Sequence, residues 1–454
     1  MPHLQPSRCQ SSAGAGFRSV PGRQQLMTAT GTVWWGNQRV GTLREDQHRL
    51  LRFRYDRSWL KRGGFAVSIS LPVALGEQEQ DAHSYFSGLL PEGETRLRVC
   101  RQLGLNSDDD AGLLLAIGGD CAGALSVLPD GITPEAEASA AESLSPEDFQ
   151  QMILTRGARS PFRSERRQRF SLAGAQEKFT IVQDRAGYRL PNAALPSTHL
   201  VKFETVPHVC FAEYMATRIA GSLGLPTVAV DYCVLPESAA PGQPPQPYLM
   251  LERYDRLQDP ASGGMQRLHQ EDLTQALAYP SSLKYEYEGG PSMADIVTLL
   301  RESVDRPVNA VTQLRDWQIF NVLIGNWDGH AKNLALLYQT DSSVPSLTPF
   351  YDLISIEYIN RVGGARYARE MALAVGGQYT PERIGIQAWR TFASDLGVPA
   401  RALLDRVRAM ASALPDHAQQ ALADFQHRHH RHPVHNELLR MIERRCRWVL
   451  QALG

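Results

Sequence analysis

Near Glu271 the pattern of apolar residues in this chain changes period, and that change limits the folds open to it. Upstream, short runs such as His199 to Phe203, Thr227 to Leu235 and Tyr248 to Arg253 read as strands, with one amphipathic helix, Phe211 to Leu223, set among them. Downstream, Asp272 to Ala278, Ser292 to Ser303, Leu314 to Gly325 and several segments beyond Pro381 carry helical spacing. A small mixed sheet followed by a helical lobe is therefore expected, within an α+β fold, although other α+β architectures share that order.

The stretch ahead of this sheet reads as a unit of its own. In Thr30 to Leu43, TGTVWWGNQRVGTL, two short strands meet at Gly36-Asn37, a pair that supplies positive φ cheaply. Phe65 to Leu71 (FAVSISL) alternates like a strand, and His83 to Leu103 reads as helical with Leu89, Leu97 and Leu103 as core positions. This α+β unit ends near Leu128. From Pro129 to Arg169 the composition turns to Pro, Ala, Ser, Glu and Arg, a linker holding one helix, Ser145 to Thr155, with Ser145 as cap and Pro146 at the first helical position. The predicted organisation is a disordered leader over 1–26, an amino-terminal subdomain over 27–130, a linker over 131–169, a sheet lobe over 170–256 and a helical lobe over 257–454. Met27 offers an alternative start just before the first strand.

Composition narrows the class of function. Lys and Arg (47) nearly balance Asp and Glu (48), so no overall field draws the molecule to nucleic acid or an anionic membrane, and DNA contact has to be local or made through a partner. The six cysteines show no short paired spacing, against both a zinc site and a disulfide framework. No apolar run approaches the roughly 18 residues that span a bilayer. These features fit a cytoplasmic protein with no membrane partner.

The chemistry-bearing segment is Asn326 to Leu334, NWDGHAKNL, which follows a helix and leads into the apolar run LALLY. Asp328 and Asn333 stand at the spacing of the Asp and Asn in a protein-kinase catalytic loop. One must accept the proton of an attacking hydroxyl and the other must reach a metal on the phosphate side, so a tight loop has to aim both at one point. Lys332 between them is placed to neutralise charge developing on a transferred phosphoryl group. Asp352, in PFYDLIS, stands where a second metal-binding carboxylate is needed, and Asn333 with Asp352 suits magnesium, a hard ion with oxygen ligands. Lys202 ends the strand of THLVKF and is placed to hold α- and β-phosphates, with Glu213 on the next helix to fix it. Glu252 to Tyr254, in LMLERYD, would form a hinge for adenine. The segment Ser171 to Lys178, SLAGAQEK, lacks the three glycines of G-x-G-x-x-G and by itself reads as an ordinary strand turn.

Together with IGGDCAGAL at Ile117 to Leu125, HQEDLTQAL from His269 and LKYEYEGGP from Leu283, these motifs make the chain resemble the HipA serine/threonine kinases, the toxin half of a bacterial toxin-antitoxin system. The resemblance covers nearly everything from Met27 onward. It implies a two-lobed protein-kinase-like fold with an extra amino-terminal α+β subdomain, and non-specific serine/threonine protein kinase activity with ATP and Mg2+ as cofactors. It implies that Ala173, Gly174, Ala175, Gln176, Glu177, Lys178 and Lys202 hold ATP. Glu252, Arg253 and Tyr254 would form the hinge, and His330, Lys332, Asn333, Tyr351 and Asp352 would line the nucleotide and metal site around Asp328, the proton acceptor. It also implies autophosphorylation at Ser171, where a phosphate would expel the loop or bind arginines such as Arg163 and Arg167. The implied partners are a separate helix-turn-helix antitoxin of the HipB type, through which DNA is bound, and a translation protein as substrate, an aminoacyl-tRNA synthetase being the known class, whose modification arrests growth. The stretch between Lys202 and Glu213 is shorter than in some relatives, which leaves the substrate open. The alternatives are a small-molecule kinase, or an inactive pseudokinase acting as a co-repressor scaffold. The histidines of His427 to His435 lack a carboxylate or cysteine framework and read as an exposed interhelical loop.

Overall fold

The computed structural model describes residues 30–134, 143–156 and 178–454, apart from 186, 193, 240, 241, 243, 259–263, 340–343 and 365. The expected leader, most of the segment SLAGAQEK with Ser171, and the arginines 159–169 lie outside these residues.

The amino-terminal unit is built on a five-stranded antiparallel sheet of β1 (Thr30–Trp35), β2 (Gln38–Glu45), β3 (Leu51–Tyr55), β4 (Gln80–Asp81) and β5 (Leu125–Pro129), in the order β4-β3-β2-β1-β5. Gly36 takes φ 52° in the turn between the first two strands, as the Gly-Asn pair requires. β3 was not foreseen. The helices His83–Ser87, Gly93–Leu103 and Asp110–Ile117 belong to this unit, and most of their buried side chains join the strands in a core around Phe53, Trp59 and Phe86.

Two expectations for this unit fail. Phe65 to Leu71 is not a strand and makes only an isolated bridge between Ser68 and Leu71. Side chains take its backbone groups instead: Tyr55 Oη accepts from Val67 N–H and donates to Leu71 C=O, Glu271 accepts from Ile69 N–H, and His269 Nε2 meets Val67 C=O at 2.8 Å. The expected helix from His83 to Leu103 is two helices, because Pro91 ends the first and Gly93 restarts the chain in a new phase. Leu97 consequently faces solvent at 42 % exposure, while Leu89 is buried.

The second unit is a six-stranded antiparallel sheet of β6 (Ser143–Leu144), β7 (Lys178–Asp184), β8 (Gly187–Arg189), β9 (His199–Phe203), β10 (Val230–Val234) and β11 (Pro247–Glu252), in the order β10-β11-β9-β7-β8-β6. The segment read as a linker thus supplies an edge strand and the helix Pro146–Leu154, capped by Ser145, whose Oγ accepts from Asp148 N–H. Phe149 of this helix stacks on Tyr188 with centroids 4.4 Å apart and closes one apolar cluster of the sheet. The helix Val209–Ser222 belongs to the main core, with Leu249 and Leu251 of β11.

Beyond the hairpin of β12 (Arg256–Gln258) and β13 (Met265–Arg267), the small sheet of β14 (His269–Asp272), β15 (Ala335–Tyr338) and β16 (Ser346–Leu347) carries the loops of the helical lobe. Its helices include Met293–Ser303, Pro307–Ile324, Ile356–Val362, Ile386–Asp395, Ala400–Arg428 and His435–Ala452. The helix Pro307–Ile324 is buried around most of its second half, from Trp317 to Ile324, and ends at Gly325 in the left-handed conformation with φ 73°. A helix apolar on all sides has to be central to its lobe, and its end therefore fixes the loop that follows. No described helix is long and apolar enough to cross a membrane.

Candidate active site

A cleft of about 630 Å³ opens between the sheet unit and the helical lobe, and residues of the amino-terminal unit, Gly88, Leu89 and Ala122, line part of it. Alternation along β9 turns Lys202 inward, and the register places it directly opposite Lys178 of β7. Lys202 is 1 % exposed. Its Nζ donates to Glu213 Oε1 at 2.5 Å and also to the carboxylate of Asp352. Burial opposes the ammonium charge, but Asp352 and Glu213 outweigh it and hold Lys202 above its ordinary pKa. Burial likewise opposes ionisation of Asp352, yet Lys202 and Lys178 keep its carboxyl well below the usual range. For Lys178, burial prevails, helped by the like charge of Lys202, and the pKa falls.

Asp352 has φ 54°, a left-handed backbone rare for a residue other than glycine and frequent at functional sites. Asn333 Nδ2 lies 3.4 Å from Asp352 Oδ2. The two expected metal ligands therefore stand side by side on one wall of the cleft, in contact through the amide nitrogen of Asn333. An amide and a carboxylate beside lysines able to hold phosphate oxygens suit magnesium, which keeps waters and shares phosphate ligands. Among the described residues no three His, Cys, Asp or Glu side chains form a metal cluster, so an ion here would rely on Asn333, Asp352, phosphate and water.

The loop carrying Asp328 is held from beneath. Asn326 Nδ2 donates to Asn321 Oδ1 at 3.0 Å, Asn326 Oδ1 accepts from Asp328 N–H, and Asn333 Oδ1 accepts from His330 N–H at 3.0 Å. At Gly329 a Cβ would lie 2.6 Å from Asn321 Nδ2, which explains a glycine directly after Asp328. Asp328 sits at the cleft mouth, open to solvent, and accepts from Tyr285 Oη at 2.8 Å. The protein around its carboxyl nonetheless raises the pKa by desolvation, against the Tyr285 hydrogen bond and the charge of Lys284. His330 is buried and lowered well below its ordinary pKa by burial and by Lys284 and Lys332, so it is neutral; its Nδ1 has no hydrogen-bond partner.

Two expected site residues line the cleft but are also engaged by other groups of the protein. The ammonium of Lys332 is held by Asp272 Oδ2 at 2.9 Å and Gly88 C=O at 3.3 Å, with Glu92 Oε1 at 3.7 Å. The guanidinium of Arg253 is buried and committed to Asp255, Ser197 Oγ and Cys121 C=O, so it braces the turn after β11 rather than offering a polar group to a ligand. Glu252 is exposed, and Tyr254 stacks with Tyr351 at 5.9 Å, while Tyr351 Oη donates to Lys332 C=O. Ala173 to Glu177 lie outside the described residues. The sequence reading gave no role to Asp272, Tyr285, Lys284 or Glu92. The first three lie in the segments HQEDLTQAL and LKYEYEGGP, whereas Glu92 stands in an unmarked loop.

The HipA N-terminal domain matches residues 31–128, and the HipA-like C-terminal domain matches residues 170–418, more than half of the chain. This chain belongs to the HipA family. Y4mE of Sinorhizobium fredii, named as a kinase, is 34 % identical over 400 residues, which cover 86 % of this chain and 90 % of Y4mE. The serine/threonine-protein kinase toxin HipA of Shewanella oneidensis is 27 % identical over 381 residues, covering 82 % of this chain and 83 % of the toxin. A solved structure of HipA from Shewanella oneidensis MR-1, in complex with HipB and operator DNA, superposes with a TM-score of 0.78 at 25 % identity, over 93 % of this chain and 97 % of that one. The two-lobed HipA fold with its amino-terminal subdomain is thus the fold of this chain.

Proposed function

We propose that the protein is a serine/threonine protein kinase that transfers the γ-phosphoryl group of ATP, with Mg2+, to a serine of a translation protein, an aminoacyl-tRNA synthetase being the favoured class. What supports this reading most directly is the convergence of Lys202, Glu213, Asp352, Asn333 and Asp328 on one cleft. Lys202 and Lys178 hold the α- and β-phosphates, the turn from Glu252 to Tyr254 receives the adenine, and His330 offers a ring N–H to a phosphate oxygen. Asn333 and Asp352 hold the metal, which when bound neutralises phosphate charge.

The serine Oγ attacks the γ-phosphorus, the bond to the β,γ-bridging oxygen breaks, ADP leaves, and the serine proton passes to Asp328. The hydrogen bond from Tyr285 fixes the Asp328 carboxyl so that its other oxygen faces the acceptor. Lys332, anchored by Asp272, supplies positive charge close to the transferring group. Autophosphorylation of Ser171, seven residues ahead of Lys178 in the chain, would silence the enzyme by disabling ATP binding. By analogy with the Shewanella complex, a HipB-like antitoxin holds the toxin and supplies the contact with operator DNA, and release of the kinase arrests growth.

Incubation with γ-labelled ATP, Mg2+ and a bacterial lysate tests the reading. Label in Ser171 and in a lysate protein, lost in Asp328→Ala, is the expected result. Label confined to small molecules contradicts a protein substrate, and no transfer at all would mark a scaffold.

A further inference from the structure

Glu92 belongs to the amino-terminal unit, immediately before the helix Gly93–Leu103, yet its carboxylate meets two lysines that line the cleft, Lys284 and Lys332. Glu92 Oε2 accepts from Lys284 Nζ at 3.1 Å. Its other oxygen, Oε1, is sealed from solvent without a hydrogen bond and faces Lys332 Nζ at 3.7 Å. The two lysines it joins flank the reacting centre. Lys332 sits in the loop between Asp328 and Asn333, and Lys284 precedes Tyr285, whose hydroxyl holds Asp328. The charge of Lys284 is felt at both Asp328 and His330. All three side chains are largely buried, with side-chain exposures of 20 % for Glu92, 14 % for Lys284 and 5 % for Lys332.

We infer that Glu92 is a positioning residue of the phosphoryl-transfer centre, holding Lys284 and Lys332 against Asp328 so that the amino-terminal unit completes the active site. Lys284 thereby becomes a second cation directed at the transferring phosphoryl group. The inference rests on the kinase reading above. Two ammonium groups beside a catalytic carboxylate repel each other, and without a shared anion the more solvent-accessible one, Lys284, swings outward. Asp272 still anchors Lys332, so Glu92 governs chiefly Lys284.

The effect belongs to the chemical step rather than to nucleotide capture, because Lys178 and Lys202 grip the phosphates from a different lobe. Transfer rates from γ-labelled ATP to lysate protein, measured against ATP concentration, provide the test. Glu92→Gln should lower kcat on the order of tenfold or more, leave KM for ATP within about twofold, and melt with the wild type; Glu92→Asp should recover part of kcat. Lys284→Met should reproduce the kcat loss, and the double variant should lose less than the product of the single losses. Wild-type kcat in Glu92→Gln or Lys284→Met, a loss carried in KM alone, or multiplying losses in the double variant would overturn the inference while leaving the kinase reading intact. A wild-type protein that transfers no phosphate overturns both.

Discussion

The buried ammonium of Lys202 faces Glu213 and Asp352, and an ion of this kind is tolerated only because each charge has its partner. Lys202→Met leaves two carboxylates facing each other, so urea unfolding should show a loss of about 3 kcal/mol or more, together with loss of ATP binding. Asp328→Asn is the contrasting change, since Asp328 is open to solvent: stability should hold while transfer falls by about 10²–10⁴-fold, the contribution of a general base. Lys202, Glu213, Asp328 and Asp352 were legible in the sequence because each has a fixed relation to its own element: a strand end, the next helix, a spaced loop. Glu92 and Asp272 were not, because their partner Lys332 lies more than 50 residues away along the chain and only tertiary folding brings them together.

The segment Phe65 to Leu71 shows why an alternating pattern can mislead at the level of elements. Its apolar residues alternate as a strand's do, but side chains of Tyr55, His269 and Glu271, rather than a neighbouring strand, satisfy its backbone. The same contacts tie the amino-terminal unit to β14 and make that seam sensitive to pH. Burial pushes Glu271 up to about 7, against hydrogen bonds from Ser68 and Tyr338, and lowers His269 to about 4. A carboxyl with a raised folded pKa binds its proton more tightly when folded, so its contribution is complete below the unfolded value of about 4.3 and is lost as pH rises through about 7. A histidine with a lowered folded pKa does the reverse, and its contribution is lost as pH falls from about 6.5 towards 4. Melting temperatures across pH 4 to 8 should therefore decline less on the alkaline side in Glu271→Gln than in the wild type. Helix ends were more legible than strands: Ser145 caps the helix Pro146–Leu154 as its sequence signal predicts.

Across the whole molecule, the three units meet at a buried cluster of charge. Asp120 of the amino-terminal unit accepts from Ser197 and Arg256 and stands 3.5 Å from both Arg253 and Arg267, while Asp255 pairs with Arg253 and Arg256 and accepts from Gly123 N–H. Three arginines share two carboxylates, so Asp120→Ala leaves a buried surplus of positive charge. It should destabilise the protein by about 3–5 kcal/mol in urea unfolding, a loss that neither ATP nor antitoxin chemistry explains. The order of a sheet followed by a helical lobe was readable from the change of hydrophobic period near Glu271, but the seating of the amino-terminal unit against the cleft depends on contacts that no periodicity records. The proposed kinase activity requires Lys202, Asn333 and Asp352 to form one Mg-ATP site, which calorimetric titration with Mg2+ and a non-hydrolysable ATP analogue probes. Saturable one-to-one binding by the wild type, with affinity lost or strongly weakened in Asp352→Ala, is the predicted result; no binding by the wild type, or equal affinity in the two proteins, would contradict it.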